Sequence, residues 1–123
     1  MTAPAPPVAA AAIAYRLAGF RFTWADEHAL QDSIADVLTT AGWPVRREVR
    51  LGPRSRIDFV VGRIGVEVKV AGTPETVTRQ LQRYAHSSEL DELVLATTRA
   101  THRIVPPVLA GTPVTIAYLT HLV

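Results

Sequence analysis

Residues 56–70 read RIDFVVGRIGVEVKV, and this stretch decides the fold because it predicts two adjacent strands joined by a tight turn. Arg56 and Arg63 stand at the start of the stretch and at the turn, whereas Asp58, Glu67 and Lys69 lie within the two apolar strands themselves. Side chains alternate along a strand, so Glu67 and Lys69 should share one face, with the valines at 66, 68 and 70 on the other. Carboxylates inside an apolar strand cost free energy unless they are paired or bind a metal. The stretch therefore predicts a charged site within a sheet.

The two adjacent strands are predicted over residues 56–61 and 64–70, and the flanking sequence predicts further helices and strands around them. Apolar periodicity predicts helices over residues 24–41 and 74–87, with a short helical piece at 104–110. Apolar runs predict further strands at residues 15–24, 45–51, 91–97 and 114–119. A strand, a helix and another strand in succession favour a right-handed crossover. The expected fold is α/β, with a mixed central sheet flanked by helices.

The composition bounds the class of protein. A chain of 123 residues, 48% of them hydrophobic, is long enough for one globular domain. It has no cysteine, which excludes a disulfide scaffold and a cysteine nucleophile and is consistent with a cytoplasmic location. No apolar run approaches the roughly 20 residues of a membrane-spanning helix, so no membrane partner is expected. Residues 1–14 are rich in alanine and proline, and we expect a disordered tail there, followed by a single domain over residues 15–123.

Basic residues are concentrated in the middle of the chain although the formal net charge is only +2. Six arginines fall within eighteen residues: Arg46, Arg47, Arg50, Arg54, Arg56 and Arg63. The planar guanidinium can bind phosphate through two parallel hydrogen bonds. Charge alone leaves two interpretations open, a phosphate-binding surface and a solvated basic hairpin with no partner.

The charged residues follow an ordered pattern that resembles a known enzyme family. Asp58 precedes the acid–x–lysine motif EVK at residues 67–69, and QLQRY at residues 80–84 places a glutamine four residues before a tyrosine on the following helix. Glu27 lies early on the first long helix. This combination resembles the PD-(D/E)xK nuclease superfamily, in its RecB-like branch with a Gln-x-x-x-Tyr motif. Ile57 stands where that motif often has proline.

The resemblance implies a restriction-endonuclease-like core with the order α-β-β-β-α-β. It also implies Mg²⁺ or Mn²⁺ as cofactor, because hard cations take carboxylate and carbonyl oxygens. The implied ligands are Glu27, Asp58, Glu67 and the main-chain carbonyl of Val68.

The remaining motif residues receive roles from the same resemblance. Asp58, Glu67 and Lys69 would be catalytic, with Lys69 orienting and deprotonating the attacking water or stabilising charge in the transition state. Gln80 and Tyr84 would position the site residues or the scissile phosphate. DNA is the implied partner, and we expect Arg46, Arg50, Arg54 and Arg56 to follow its backbone. Strand alternation predicts that Arg46 and Arg50 share one face and that Arg47 lies on the other.

Two functions remain open on the sequence. The first is a Mg²⁺-dependent deoxyribonuclease, either an exonuclease or a structure-specific endonuclease, in which a homodimer or a partner protein could supply additional DNA contacts. The second is a catalytically inactive module with the same fold that binds nucleic acid or protein. The four histidines do not follow a metal-binding spacing, and there is no phosphate-binding glycine loop.

Overall fold

The structure is a computed structural model, and it describes residues 7–121. Its helices are α1 (Ala10–Ala18), α2 (Glu27–Thr40) and α3 (Pro74–Ala85), with a 3₁₀ turn at Ala100–Ile104. Its strands are β1 (Arg21–Phe22), β2 (Val45–Gly52), β3 (Ser55–Val61), β4 (Ile64–Lys69), β5 (Glu92–Thr97), β6 (Val108–Leu109), β7 (Thr112–Tyr118) and β8 (Thr120–His121).

Six strands form one mixed sheet in the order β2-β3-β4-β5-β7-β6. The first three are antiparallel, while β4, β5 and β7 run parallel to one another. Helix α3 connects the parallel strands β4 and β5, and the α/β class with a mixed sheet is confirmed. The carboxyl ends of β4 and β5 consequently lie at the same edge of the sheet. The short strands β1 and β8 pair separately.

The helices divide between the two faces of the sheet. Val66 and Val68 of β4 pack in the cluster formed by α1 and α2, as predicted from their alternation. Leu93 and Leu95 of β5 pack in the other cluster, which includes the buried face of α3. Glu67 alternates with the valines and therefore faces α3. No helix within residues 7–121 is long and apolar enough to cross a membrane.

The N-terminal prediction is wrong where it can be compared with the structure. Residues 10–14 belong to α1 rather than to a disordered tail, and residues 1–6 lie outside the described chain. Alanine has the highest intrinsic helix propensity. Ile13 and Leu17, four residues apart on one helix face, are both fully buried. The alanine-rich segment thus forms a helix that packs in the core through its two buried aliphatic side chains.

Two shorter elements also differ from their predictions. The strand predicted over residues 15–24 is reduced to Arg21–Phe22, because α1 occupies its first part. The helical piece predicted over residues 104–110 is a 3₁₀ turn at Ala100–Ile104 followed by a two-residue strand. Pro106 and Pro107 lack the N–H groups that a continued helix would need.

Candidate active site

The site lies where the ladder between β3 and β4 ends. The last regular pair before the site is Phe59 with Val66. Beyond it, side chains take over the backbone hydrogen bonds: the Asp58 N–H donates to Glu67 Oε1 at 3.2 Å, and the Val68 N–H donates to Asp58 Oδ2 at 2.8 Å. The two carboxyl groups are thereby fixed between neighbouring strands.

An irregularity in the hairpin of β2 and β3 turns Asp58 into this position. Glu48, which lies opposite Asp58, has a φ of 51°, in the left-handed region that non-glycine residues rarely adopt. On β3, Phe59 packs towards α1 and α2, whereas Ile57 packs towards α3. Regular alternation would place both on one face. The alternation of side chains along β3 is therefore interrupted at Asp58. The Asp58 side chain points along the sheet towards β4.

Burial and like charge hold a proton in the carboxyl pair. The pKa of Glu67, which is 3% exposed, rises to about 8 because of burial first and the Asp58 charge second, while the Lys69 ammonium acts in the opposite direction. Burial also raises the pKa of Asp58, against the hydrogen bond from the Val68 N–H. At neutral pH the coupled pair therefore retains one proton.

Tyr84 and Gln80 reach this pair from α3. The Tyr84 hydroxyl lies 3.2 Å from Glu67 Oε2 and 2.9 Å from the Arg56 carbonyl oxygen, and it accepts a hydrogen bond from Gln80 Nε2 at 2.9 Å. The hydroxyl has only one proton to donate. It can therefore donate to Glu67 Oε2 or to the Arg56 carbonyl oxygen, but not fully to both at once. Tyr84 thus links the Glu67 carboxyl to the main chain of β3.

Lys69 completes the group from the end of β4. Its Nζ lies 3.5 Å from Glu67 Oε2, and its side chain is 20% exposed. Lys69 and Glu67 share a face, as the alternation of β4 predicts. The ammonium consequently stands between the buried carboxyl and solvent, where a substrate oxygen could reach it.

Glu27 lies at the margin of the site. It begins α2, directly after the cap Asp26, and its Oε1 accepts a hydrogen bond of 3.3 Å from the Val70 N–H. Its charge contributes to the raised pKa of Asp58, so the two carboxyl groups are within electrostatic reach. Among the described residues, no group of three or more His, Asp or Glu side chains is arranged to hold a metal. Glu27 would have to leave Val70 to join a ligand set.

Two of the six clustered arginines are paired with acids away from the site. Arg47 forms an ion pair of 2.8 Å with Asp32 on α2. Arg63 forms one of 2.9 Å with Asp91 and also donates to the Ser88 carbonyl oxygen. These contacts leave less of the charge of the arginine cluster available for a ligand.

The other arginines do not lie as strand alternation predicts. Arg46 is opposite Val60, which packs towards α3, so Arg46 lies on the face of Glu67. Arg50 is opposite Arg56, and apolar sequence neighbours of both arginines pack towards α3. Arg50 and Arg56 therefore lie on the other face, and the prediction that Arg46 and Arg50 share a face is wrong. The interruption of alternation at Glu48 and Asp58 causes the difference.

A buried polar relay near the site had no sequence signal that we recognised. His102 is fully buried, with Nδ1 2.7 Å from Thr97 Oγ1 and Nε2 2.7 Å from the Gly72 carbonyl oxygen. Because that carbonyl can only accept, Nε2 carries a proton, while Nδ1 pairs with the Thr97 hydroxyl. The available sequence signal was the position of His102 just after an apolar strand and between two arginines.

Comparisons with known proteins found no matching family model, no matching curated protein and no matching solved structure.

The paired carboxyls give a prediction for the metal-free protein. The pKa of Glu67 rises from 4.5 to about 8 on folding, so the folded state binds more protons than the unfolded state within that interval. The free energy of unfolding should therefore fall as the pH rises from about 4.5 to about 8, by at most about 1.4 kcal/mol per pH unit for one proton. Urea unfolding with a chelator at several pH values measures this slope.

Glu67→Gln serves as the control for the slope. Asp58, Lys69 and Tyr84 face Glu67, and the profile belongs to the coupled carboxyl pair rather than to one residue. The amide cannot titrate, so the variant should show a flatter profile. Equal slopes in the two proteins would show that another group retains the proton.

Proposed function

We propose that this chain is a Mg²⁺-dependent deoxyribonuclease with a restriction-endonuclease-like core. The observation that supports the proposal is the contact of the Asp58–Glu67 pair with both Lys69 and Tyr84. A structural ion pair would not need two buried carboxyls beside each other, because burial and like charge make it costly to ionise both. A divalent cation would remove that cost.

The order of elements is compatible with the proposed core. From α2 to β5 the chain runs helix, three antiparallel strands, helix and parallel strand, as the resemblance to the PD-(D/E)xK superfamily implies. The two acids lie on the second and third of these strands, and the glutamine and tyrosine lie on the second helix.

The residues at the site fit a hard cation. Asp58 and Glu67 supply carboxylate oxygens, and their neighbour Val68 has a main-chain carbonyl. Glu27 is held by a single hydrogen bond of 3.3 Å, so it could turn towards Asp58. When bound, a divalent cation would supply charge stabilisation at the scissile phosphate and lower the pKa of the attacking water.

The chain's own groups have separate tasks in this proposal. Lys69 donates hydrogen bonds to the attacking water or to a phosphate oxygen as negative charge develops. Tyr84 holds the Glu67 carboxyl in position, and Gln80 holds Tyr84. The first strand-borne acid, Asp58, is fixed by the Val68 N–H. Each polar group thus has a partner that restricts its orientation before substrate binds.

A panel of labelled DNA substrates with Mg²⁺, Mn²⁺ or a chelator tests the activity. Single strands, duplexes and branched structures distinguish exonuclease from structure-specific endonuclease action. Cleavage that requires the metal is expected for at least one substrate. The alternative is an inactive module, which would bind DNA without cutting it and would gain no thermal stability from Mg²⁺, since only a ligand of the native state raises stability.

The basic hairpin gives a prediction for DNA binding. Arg46 lies on the face of Glu67, whereas Arg50 lies on the opposite face. With Ca²⁺ in place of Mg²⁺ to suppress cutting, Arg46→Ala should weaken binding severalfold and reduce the salt dependence, because each phosphate contact releases counterions. Arg50→Ala is the matched control and should have a smaller effect. Equal, negligible effects would identify the hairpin as a solvated surface.

A further inference from the structure

We propose that the cavity between residues 71–74 and the 3₁₀ turn Ala100–Ile104 binds one nucleotide unit of a nucleic-acid strand, with its phosphate on Arg99 and Arg103. The inference rests on the proposed function, because the occupant would be part of the strand that enters the active site. The cavity has a volume of about 580 Å³. That size falls within the range of small-ligand pockets.

The cavity adjoins the candidate active site. Ala71, which lines it, follows the catalytic candidate Lys69 by two residues. The other wall begins just after β5, whose following residue Thr98 donates from its N–H to the Lys69 carbonyl oxygen at 3.2 Å. The cavity thus lies at the edge of the sheet where β4 and β5 end, the usual place for ligands in such sheets. A nucleic-acid strand in contact with Lys69 could continue directly into the cavity.

The charge of the cavity favours an anion. Its lining residues include Arg99 and Arg103 together with Thr73 and Thr101, but no acidic residue. Both arginines are exposed, and neither takes part in an ion pair within the described part of the chain. Unlike Arg47 and Arg63, they keep their charge available. Two arginines that line one cavity suit a phosphodiester, because each guanidinium can bind phosphate through two hydrogen bonds.

The rest of the lining favours more than a bare phosphate. Ala71, Pro74 and Ile104 supply apolar surface, and Ile104 is 64% exposed. An isolated phosphate would leave this surface in water and fill only a small part of the volume. A sugar and base attached to the phosphate would cover it, which removes apolar area from solvent. The lining therefore matches one nucleotide.

The two walls are tied together by the buried relay. His102 Nε2 donates to the Gly72 carbonyl oxygen on one wall at 2.7 Å, and Nδ1 is hydrogen-bonded to the Thr97 hydroxyl at 2.7 Å. The Thr97 oxygen in turn accepts from the Arg99 N–H at 3.0 Å. Since Thr97 and His102 are both fully buried, the separation of the walls is fixed before a ligand binds. Such preorganisation reduces the entropy lost on binding.

Binding of a fluorescent oligothymidylate with Ca²⁺ in place of Mg²⁺ tests the inference. Arg99→Ala/Arg103→Ala should weaken binding at least fivefold and lower the slope of log affinity against log salt by about 0.7 for each phosphate that is no longer neutralised. Arg21→Ala/Arg83→Ala is the matched control, because it removes the same charge from exposed residues outside the cavity. That variant should bind almost as the wild type does.

The outcomes separate the cavity from the nuclease activity. Equal affinity and equal cleavage in the two double variants would overturn the cavity proposal while leaving the nuclease intact. Wild-type protein that binds the strand through Arg99 and Arg103 but never cleaves it would overturn the proposed function and support the cavity. Competition by thymidine monophosphate with an affinity equal to that of the oligonucleotide would instead identify a free-nucleotide site and contradict strand binding.

Discussion

Glu67→Gln should reduce Mg²⁺-dependent DNA cleavage by more than about a thousandfold, equivalent to about 4 kcal/mol of transition-state stabilisation. The amide has the shape of the carboxyl and can still accept from the Asp58 N–H, so the fold should persist. It lacks the negative charge that the Glu67 carboxylate would contribute to binding a divalent cation. Initial rates of cleavage measure the loss, and unfolding in the presence of a chelator confirms that the variant is folded.

Glu92→Gln provides a matched control on the neighbouring strand. Glu92 is half-buried at the start of β5, and its carboxylate lies 3.5 Å from the Ala10 N–H rather than at the site. The same chemical change should leave cleavage near the wild-type rate. Asp58→Ala should abolish cleavage as Glu67→Gln does, and removal of its charge should lower the pKa of Glu67. A Glu67→Gln protein that cleaves within tenfold of wild type would contradict the assignment of Glu67 as a ligand.

The sequence predicted the site most successfully on β4, where the pattern is regular. The alternation of Val66, Glu67 and Val68 fixes the faces because both sides of this strand are covered. The four-residue spacing of Gln80 and Tyr84 likewise predicted a shared helix face, and both side chains reach the site. In these cases the local periodicity of the strand or helix was sufficient to predict which side chains share a face, since no irregularity interrupts that periodicity.

The sequence could not predict the geometry around Asp58 because it depends on a break in pairing. Glu48 adopts a positive φ although it is neither glycine nor asparagine, so no turn signal announces the irregularity. Its effect appears on the partner strand, where Ile57 and Phe59 face opposite sides. Strand alternation alone therefore predicts the wrong face for Arg50.

Tyr84→Phe should lower the cleavage rate at least tenfold, equivalent to about 1.4 kcal/mol, with a smaller effect on DNA binding. The substitution removes the hydroxyl that lies 3.2 Å from Glu67 Oε2 and 2.9 Å from the Arg56 carbonyl oxygen. The ring remains buried, so the fold should be retained. Without its partner, the Glu67 carboxyl is less well oriented, and a higher Mg²⁺ concentration should be needed for half-maximal activity.

The adjacent Gln80 allows this positioning role to be separated from a general loss of stability. Gln80 acts on Glu67 only through the Tyr84 hydroxyl, so Gln80→Ala should also shift the Mg²⁺ requirement, and its effect should nearly vanish in a Tyr84→Phe background. Gln82→Ala is the control, because Gln82 is an exposed glutamine on the same helix. Additive effects of Gln80→Ala and Tyr84→Phe, or an unchanged Mg²⁺ requirement in both, would show that α3 supports the fold without orienting the metal ligand.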